Sequence, residues 1–386
     1  MKHMRNHGDG RRAWLILGLG GLLLFVILPL LNALPVEGSW WRVSDFSLNL
    51  LGKFLAYAIL ALGIDLIWGY AGILSLGHGV FFGLGAYCMG MHLSLAIGTQ
   101  GVYQSALPDF MVWNQVKELP AFWRPFYHFW WTLPAVILVP CLFALLFGVL
   151  AFRSRITGVY FSIITQALAL SVWLLFNRNE TDLGGTNGLT GFKTLLGFRL
   201  SDPATQRVLY MVTACCLGGA YLLCRWMTRS RLGKVLVAIR DSEQRVLFTG
   251  YSPADYKLFV FVVSAGLAGL AGALYVPQVG IITPAQIGVL PSLEMVVWVA
   301  AGGRGSLVGA ILGAVGVNGV RSVLTTQYPD LWPFFLGGLF IGVVLLLPEG
   351  CIGFVQRVRA SGRRYINRRS RQPVALISDW QRREVP

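Results

Sequence analysis

Charged residues are scarce in this chain of 386 residues. Asp, Glu, Lys and Arg make up only 13% of it, whereas 55% of the residues are hydrophobic. An average soluble domain has roughly 25% charged residues. The mean hydropathy is correspondingly high, at +0.63. This composition excludes an ordinary soluble domain and predicts a chain that lies mostly within a lipid bilayer.

Several chemical signatures are also missing. The six cysteines lie in or beside apolar runs without CxxC spacing, so the sequence indicates neither a metal site nor a disulfide framework. No GxxxxGK[ST] phosphate-binding loop occurs, so the chain cannot itself supply an ATPase. Short alternating strands, which a membrane barrel would need, are absent as well. We therefore predict no cofactor bound by this chain.

Long apolar runs separated by short connections make up most of the sequence. Counting the runs predicts an all-α polytopic membrane protein with about ten membrane-inserted helices, some of them re-entrant or broken at glycines. The net charge is +15, and its basic residues cluster in a few connections and near both ends. With ten elements every basic cluster lies on one side, which predicts that both termini are cytoplasmic. Topology thus explains the positive charge, and nucleic acid is not predicted as a partner.

The same pattern divides the chain into segments. The first apolar run, 13–34, has no A-x-A cleavage site, so it reads as a spanning helix and not as a signal peptide. We predict a basic cytoplasmic N-terminus, a transmembrane domain and an Arg-rich cytoplasmic tail at 1–12, 13–348 and 349–386. Within the transmembrane domain we predict two external segments, 98–131 and 177–205, and a long cytoplasmic segment, 228–257.

One stretch, 68–91, combines apolar character with seven glycines and a histidine: WGYAGILSLGHGVFFGLGAYCMGM. Glycine lets backbones approach closely or lets a helix break. A broken helix at membrane depth is tolerated where its backbone faces protein or a water-filled cavity. The stretch therefore predicts one side of a polar pathway, opposite a second glycine-rich segment near 302–316.

Ionisable residues inside a membrane are functional suspects. His78 either lines the pathway or is a hydrogen-bonded packing residue. Asp65 and Glu294 must face inward or find partners, because a charge in lipid is costly. The candidate pathway residues are Asp65, Gly77, His78, Gly79, Glu294, Gly302 and Gly303.

The cytoplasmic segment contains an amphipathic pattern. Val235, Ile239 and Val246 recur at helical spacing, and Gly250 is a natural helix stop. We predict one short helix at about 234–250. It either docks into the groove of a partner protein or serves as a solvated linker.

Three motifs give the chain a family resemblance. They are GYAGILSLGHGVFFGLGAY, VAIRDSEQRVLFTGYSPADYKLFVFVVSAGLAGLAGAL and WVAAGGRGSLVGAILGA. Together they resemble the permease subunits of branched-chain amino-acid-type ABC importers (the LivM/LivH group), over most of 50–350. Within that group, LPAFWRPF, FRSRITGVYFSIITQAL, GGTNGLTGFKTLLGF and YPDLWPFFLGGLFIGVVLLLPEG are most similar to the larger permease subunit of urea importers.

The resemblance implies a heteromeric importer in the bacterial inner membrane. Its partners would be a second permease subunit, two ABC ATPase subunits that use the ATP, and a periplasmic solute-binding protein. The cytoplasmic helix would then be the ATPase-coupling element, with Arg240, Asp241, Glu243 and Gly250 as its candidate residues. Thr186, Asn187 and Thr190 would receive the binding protein or form an outer gate, although a capped flexible loop explains them equally well.

Alternatives remain at this point. The same machinery could carry branched-chain or other amino acids, although the sparse charge favours a neutral solute such as urea. A polytopic membrane enzyme could use His78 with Asp65 or Glu294 as acid and base. A passive channel is a third possibility.

Overall fold

The computed structural model describes residues 28–33, 44–154, 156 and 158–346, together with positions 21, 350, 351 and 353. Seven helices in this part of the chain are long and apolar enough to cross a membrane. They are α2 (Asp45–Asp65, continued by a π-helical turn at Leu66–Tyr70), α3 (His78–Ile97), α5 (Phe129–Arg153), α6 (Val159–Phe176), α7 (Pro203–Arg229), α10 (Pro253–Val279) and α12 (Leu307–Gln327).

Shorter helices complete the described fold. Two of them are apolar, α11 (Val289–Gly302) and α13 (Trp332–Leu346). The others are α1 (Leu28–Ala33), α4 (Asp109–Trp113), α8 (Arg231–Asp241) and α9 (Glu243–Phe248). Four two-residue strands form two antiparallel pairs: β1 (Leu189–Thr190) with β4 (Ile281–Ile282), and β2 (Thr194–Leu195) with β3 (Phe198–Arg199).

The predicted all-α polytopic membrane fold is confirmed. The seven long helices, α11 and α13 correspond to predicted helices two to ten. Of the predicted first helix at 13–34, the structure describes position 21 and 28–33, and both are helical. The predicted N-terminal segment 1–12 lies outside the described residues, and so does the tail 349–386 apart from 350, 351 and 353.

Three helices form the centre of the bundle. Over their most apolar windows, 83% of α2, 83% of α3 and 72% of α10 is buried, against 33–39% for α5, α6, α7 and α12. The outer helices expose large apolar side chains, such as Leu146 and Trp226. In a membrane protein such faces meet lipid or another subunit, because neither requires a polar surface.

Glycine sets the spacing of the central helices. A Cβ at Gly269 of α10 would lie 2.5 Å from the Val136 carbonyl oxygen on α5. Cβ atoms at Gly85 and Gly272 would overlap the backbones of Gly269 and Phe82. Close backbone approach of this kind replaces the hydrophobic effect as a source of helix association in lipid. At these points α10 packs nearly backbone to backbone against α3 and α5.

One predicted element is wrong in detail. The single cytoplasmic helix expected at 234–250 is two helices, α8 and α9, divided at Ser242. Ser242 has extended backbone angles, φ −164° and ψ 98°, and it stands at the N-cap of α9. Serine favours such positions because its hydroxyl competes with helical hydrogen bonds. We call the end of the bundle next to α8 and α9 the inner end, since the basic residues predict it to be cytoplasmic, and the opposite end the outer end.

Candidate functional site

The glycine-rich stretch does break between two helices. After the π-helical turn, 71–77 is not helical, and α3 begins at His78. The neighbouring α6 satisfies its backbone: the Leu76 N–H donates to the Thr165 hydroxyl at 3.0 Å, and the Ser162 hydroxyl donates to the Leu74 carbonyl at 2.8 Å. Protein groups thus replace the helical hydrogen bonds that the break removes, as the apolar surroundings require.

His78 lies in the packed core. Its side chain is fully buried, with Nδ1 3.1 Å from the Ser75 hydroxyl and Nε2 2.9 Å from the Ser264 hydroxyl. Phe81 and Phe261 meet the imidazole ring edge-on. The contacts match the packing alternative for this histidine, because both ring nitrogens have partners inside the protein. A role in the solute pathway stays a prediction.

Gly77 and Gly79 act as close-approach points beside His78. A Cβ at Gly77 would overlap the Thr165 carbonyl, and one at Gly79 would lie 2.7 Å from the Ser292 hydroxyl. The Gly79 N–H donates to that hydroxyl at 3.1 Å. The two glycines therefore join the start of α3 to α6 and to α11, where a larger residue would not fit.

At the inner end, Asp65 connects the two glycine-rich segments. Its carboxylate is fully buried and accepts a hydrogen bond from the Gly305 N–H at 2.7 Å. The second carboxylate oxygen has no hydrogen-bond partner among the described residues. A Cβ at Gly69 would lie 2.5 Å from the Gly305 nitrogen and closer still to the Asp65 carboxylate. We call Asp65, Gly69 and Gly305 the inner cluster.

Helix α8 touches this inner cluster directly. The Arg240 guanidinium at the end of α8 donates to the Gly69 carbonyl at 2.7 Å and pairs with Asp241 at 3.2 Å. A charged donor on a buried carbonyl is one of the stronger hydrogen bonds available to a protein. Arg240 is thus the link between the predicted coupling element and the broken helix.

The other two coupling candidates lie further along the segment. Glu243 of α9 forms an ion pair with Lys257 of α10 at 2.6 Å. Gly250 has φ +84° and open space around its Cα, in the turn before α10. The ion pair of Glu243 joins α9 to the central helix α10. Gly250 provides a turn with left-handed backbone angles, which favour glycine.

Gly302 and Gly303 end α11 against α12. A Cβ at Gly302 would overlap the Gly309 carbonyl, and Gly303 has φ +123°. The structure therefore places Gly302 and Gly303 in a tight helix–helix contact next to the inner cluster. Glu294, on the same helix, is not brought together with them, because it lies nearer the outer end.

Glu294 lines a cavity of about 320 Å³ at the outer end, between α2, α10, α11 and α12. The Glu294 residue is 5% exposed, and its carboxylate forms an ion pair with Arg321. The Arg321 guanidinium also lies 5.2 Å from the ring centroid of Trp332. We call this space the outer cavity. The expectation that Glu294 would need a partner in the membrane is met by Arg321.

The outer cavity contains residues that the sequence interpretation missed. The Lys53 ammonium of α2 lies 5.8 Å and 5.9 Å from the ring centroids of Tyr57 and Tyr275, which also line the cavity. Trp298 is 2% exposed, and its indole N–H has no hydrogen-bond partner among the described residues. A signal was present, since Lys53 and Arg321 are ionisable residues within apolar helices.

The candidate external residues share a loop. Thr186, Asn187 and Thr190 are all exposed. Gly185–Asn187 is a 3-10 turn, and Thr190 lies in β1, paired with Ile281 of β4. Docking or gating by these three residues stays a prediction.

Comparison with known proteins gives a consistent result. The family model "Branched-chain amino acid transport system / permease component" matches residues 46–344. The chain is 27% identical over 346 residues to the high-affinity branched-chain amino acid transport system permease protein LivM of Salmonella typhimurium, covering 84% of this chain and 74% of LivM.

Two further relatives extend the match. The permease protein BraD of Pseudomonas aeruginosa is 26% identical over 311 residues, covering 77% of this chain and 91% of BraD. The permease protein LivH of Escherichia coli is 23% identical over 308 residues, covering 77% of this chain and 91% of LivH. No solved structure matches the chain.

The family match spans the inner cluster, α8, α9 and the outer cavity. Its members are transport subunits, so the hypothesis of a membrane enzyme is wrong. The chain belongs to the family of permease components of branched-chain amino-acid-type ABC importers.

Proposed function

We propose that this chain moves urea inward as one of two different permease subunits of an ATP-driven importer in the bacterial inner membrane. Two ATPase subunits would use the ATP, a periplasmic binding protein would deliver the solute, and this chain would bind no cofactor. The support for urea within the family is the similarity of four segments to the larger urea permease subunit, from LPAFWRPF to the helix at 332–346.

The observation that carries the proposal is the charge pairing in the outer cavity. A free carboxylate in the cavity would favour the ammonium group of a zwitterionic amino acid, but Glu294 is already paired with Arg321. Urea needs only hydrogen-bond donors for its carbonyl and acceptors for its N–H groups. The indole N–H of Trp298, which has no partner among the described residues, is a suitable donor. The cavity of about 320 Å³ is ample for a solute of four heavy atoms.

A second candidate is a branched-chain amino acid. The relatives are named for that transport, and the outer cavity also has an apolar wall that includes Leu50, Phe54 and Leu290. Such a wall could contact a branched aliphatic side chain. The solute would then have to displace Arg321 from Glu294 or leave its ammonium group unpaired.

For energy coupling we propose that the ATPase subunits act on α8 and α9. A movement of α8 would pull on the Gly69 carbonyl through Arg240, and Gly69 contacts Gly305 in the inner cluster. Asp241, Glu243 and Gly250 would hold the two helices in the required orientation. At the outer end, Thr186, Asn187 and Thr190 would receive the binding protein.

Uptake of radiolabelled solute tests the proposal. A strain lacking this subunit should lose uptake of ¹⁴C-urea at micromolar concentration and recover it on complementation, while uptake of ¹⁴C-leucine stays unchanged. Loss of leucine uptake instead would favour the second candidate. Urea uptake that persists in ATP-depleted cells would indicate a passive channel.

A further inference from the structure

Among the described residues, the outer cavity has more positive than negative side chains. Three of the side chains that line it carry a charge at neutral pH: Lys53, Glu294 and Arg321. Glu294 and Arg321 neutralise one another. Among the described residues no carboxylate lies within ion-pair distance of Lys53. Two cations and one carboxylate leave the cavity lining with a net charge of one positive unit.

Aromatic rings stabilise this charge without cancelling it. The Lys53 ammonium lies over the rings of both Tyr57 and Tyr275. Those two rings are tilted against each other with their centroids 5.5 Å apart, and the ring centroid of Trp298 lies 4.7 Å from that of Tyr57. A cation over an aromatic face is attracted to the ring quadrupole while it keeps its full charge. Lys53 can therefore be held near the cavity with its field acting on whatever enters.

A fixed charge in a cavity with low-dielectric walls acts strongly on small solutes. The walls focus the field into the cavity, so a second cation is repelled more than it would be in bulk water. Pores use positive groups in this way to exclude cations while neutral molecules pass. Neutral amides are not repelled, and their carbonyl oxygen gains a hydrogen-bond donor.

We propose that Lys53 makes the outer cavity a charge filter, a binding site for neutral amides such as urea that rejects protonated amines and guanidinium. Guanidinium is the decisive competitor because it has the planar shape and size of urea but carries a positive charge. Shape alone would not separate the two, whereas the charge of Lys53 does. The inference deepens the proposed urea transport and rests on it for the identity of the solute.

The potential of the cavity can be measured without transport. Thr325 lines the outer cavity and is exposed, so a Thr325→Cys variant offers a thiol there. The complete importer in right-side-out vesicles is treated with two methanethiosulfonates, the anionic ethylsulfonate and the cationic ethyl-trimethylammonium. Reaction of the parent protein, with its six native cysteines, is subtracted. Thr326→Cys is the matched control, since Thr326 is exposed on the same helix but is not part of the cavity lining.

We expect the ratio of anionic to cationic reaction rates to be about fivefold higher at Thr325→Cys than at Thr326→Cys, as a unit charge several ångströms away would produce. Adding Lys53→Gln should bring the ratio down to the control value, and Lys53→Arg should preserve it. Lys193→Gln removes an exposed lysine of the outer loop and should leave the ratio unchanged.

Equal ratios at the two cysteines, or a ratio that Lys53→Gln does not alter, would overturn the filter. If Lys53→Gln fails to assemble, Glu294→Gln provides a second test: it should raise the anionic preference, and an unchanged ratio counts against the proposal. In uptake assays guanidinium should compete with urea only in the Lys53→Gln importer. The two proposals can fail separately. If the ratio of anionic to cationic reaction rates changes as expected but the importer does not take up urea, the result would refute urea transport and support the charge filter.

Discussion

The two buried carboxylates of the pathway prediction occupy opposite environments. Glu294 lines an open cavity and is paired with a guanidinium on the neighbouring helix. Asp65 is completely buried at the inner end and accepts one backbone N–H, with its other oxygen unpartnered among the described residues. The outer carboxylate can meet a solute, whereas the inner one holds two backbone segments together. Residues of one chemical class thus have different roles because their neighbours differ.

Packing shows the same contrast between the two regions. The outer cavity leaves about 320 Å³ between its helices. In the inner cluster a Cβ added at Gly69 would lie only 2.5 Å from the Gly305 nitrogen, so a methyl group does not fit there. The helices therefore leave open space around Glu294 but pack tightly around Asp65. The three predictions below test that difference, beginning with the largest effect.

Replacing Gly69 with alanine should have the most severe effect. The new Cβ would collide with the Asp65 carboxylate and the Gly305 nitrogen, both in rigid positions. Overpacking of this kind costs about 1–3 kcal/mol or more, and here it also separates the segments that close the inner end. We expect loss of uptake and a lower melting temperature of the purified complex, measured by differential scanning fluorimetry. Gly316→Ala, in α12 with open space around it, is the control and should melt like the parent.

Truncating each carboxylate should affect different kinetic parameters. Glu294→Ala removes a polar group of the outer cavity, our proposed urea site, so we expect KM for urea uptake to rise by about tenfold, roughly the 1.4 kcal/mol of one good hydrogen bond. Asp65→Ala leaves the Gly305 N–H without its acceptor, so we expect a lower maximal rate at unchanged KM. Initial rates over a range of urea concentrations separate the two effects. The contrast between the regions would be lost if both variants changed the same parameter.

Replacement of Gly250 should have the smallest effect, and this effect should come from the backbone conformation and not from a steric clash. Its φ of +84° costs a branched or bulky residue about 1–2 kcal/mol, although no atom lies in the way. We expect Gly250→Leu to reduce urea uptake several-fold while ATP hydrolysis by the assembled complex continues. Gly250→Asn should be nearly normal, because asparagine tolerates left-handed angles. Normal uptake by an assembled Gly250→Leu importer would contradict the role of this turn in coupling.

The sequence predicted structure well where a local pattern has a single physical explanation. Apolar run length predicted the long helices, and the glycine-rich segments proved to be a break and a set of close contacts. The predicted helix at 234–250 was too long because Val246 keeps the helical spacing across Ser242, so periodicity did not reveal the division.

The outer cavity could not be assembled from the sequence. Lys53, Glu294 and Arg321 come from three helices, and a single sequence does not show which residues of distant helices meet. Basic residues also serve as topology signals, which obscured Lys53 and Arg321 as functional suspects. His78 is conspicuous in the sequence because it stands between glycines, but the sequence could not show that two serine hydroxyls from within the protein contact its ring nitrogens.

The pairing of β1 with β4 has a mechanical consequence. Thr186 and Asn187 lie just before β1, and Ala285 and Gln286, which line the outer cavity, lie just after β4. A displacement of the exposed loop would therefore be transmitted to the mouth of the outer cavity through the backbone hydrogen bonds between β1 and β4, without a long side chain in between. The loop and the cavity lining are thus parts of one mechanical unit, in which a displacement of either segment shifts the other.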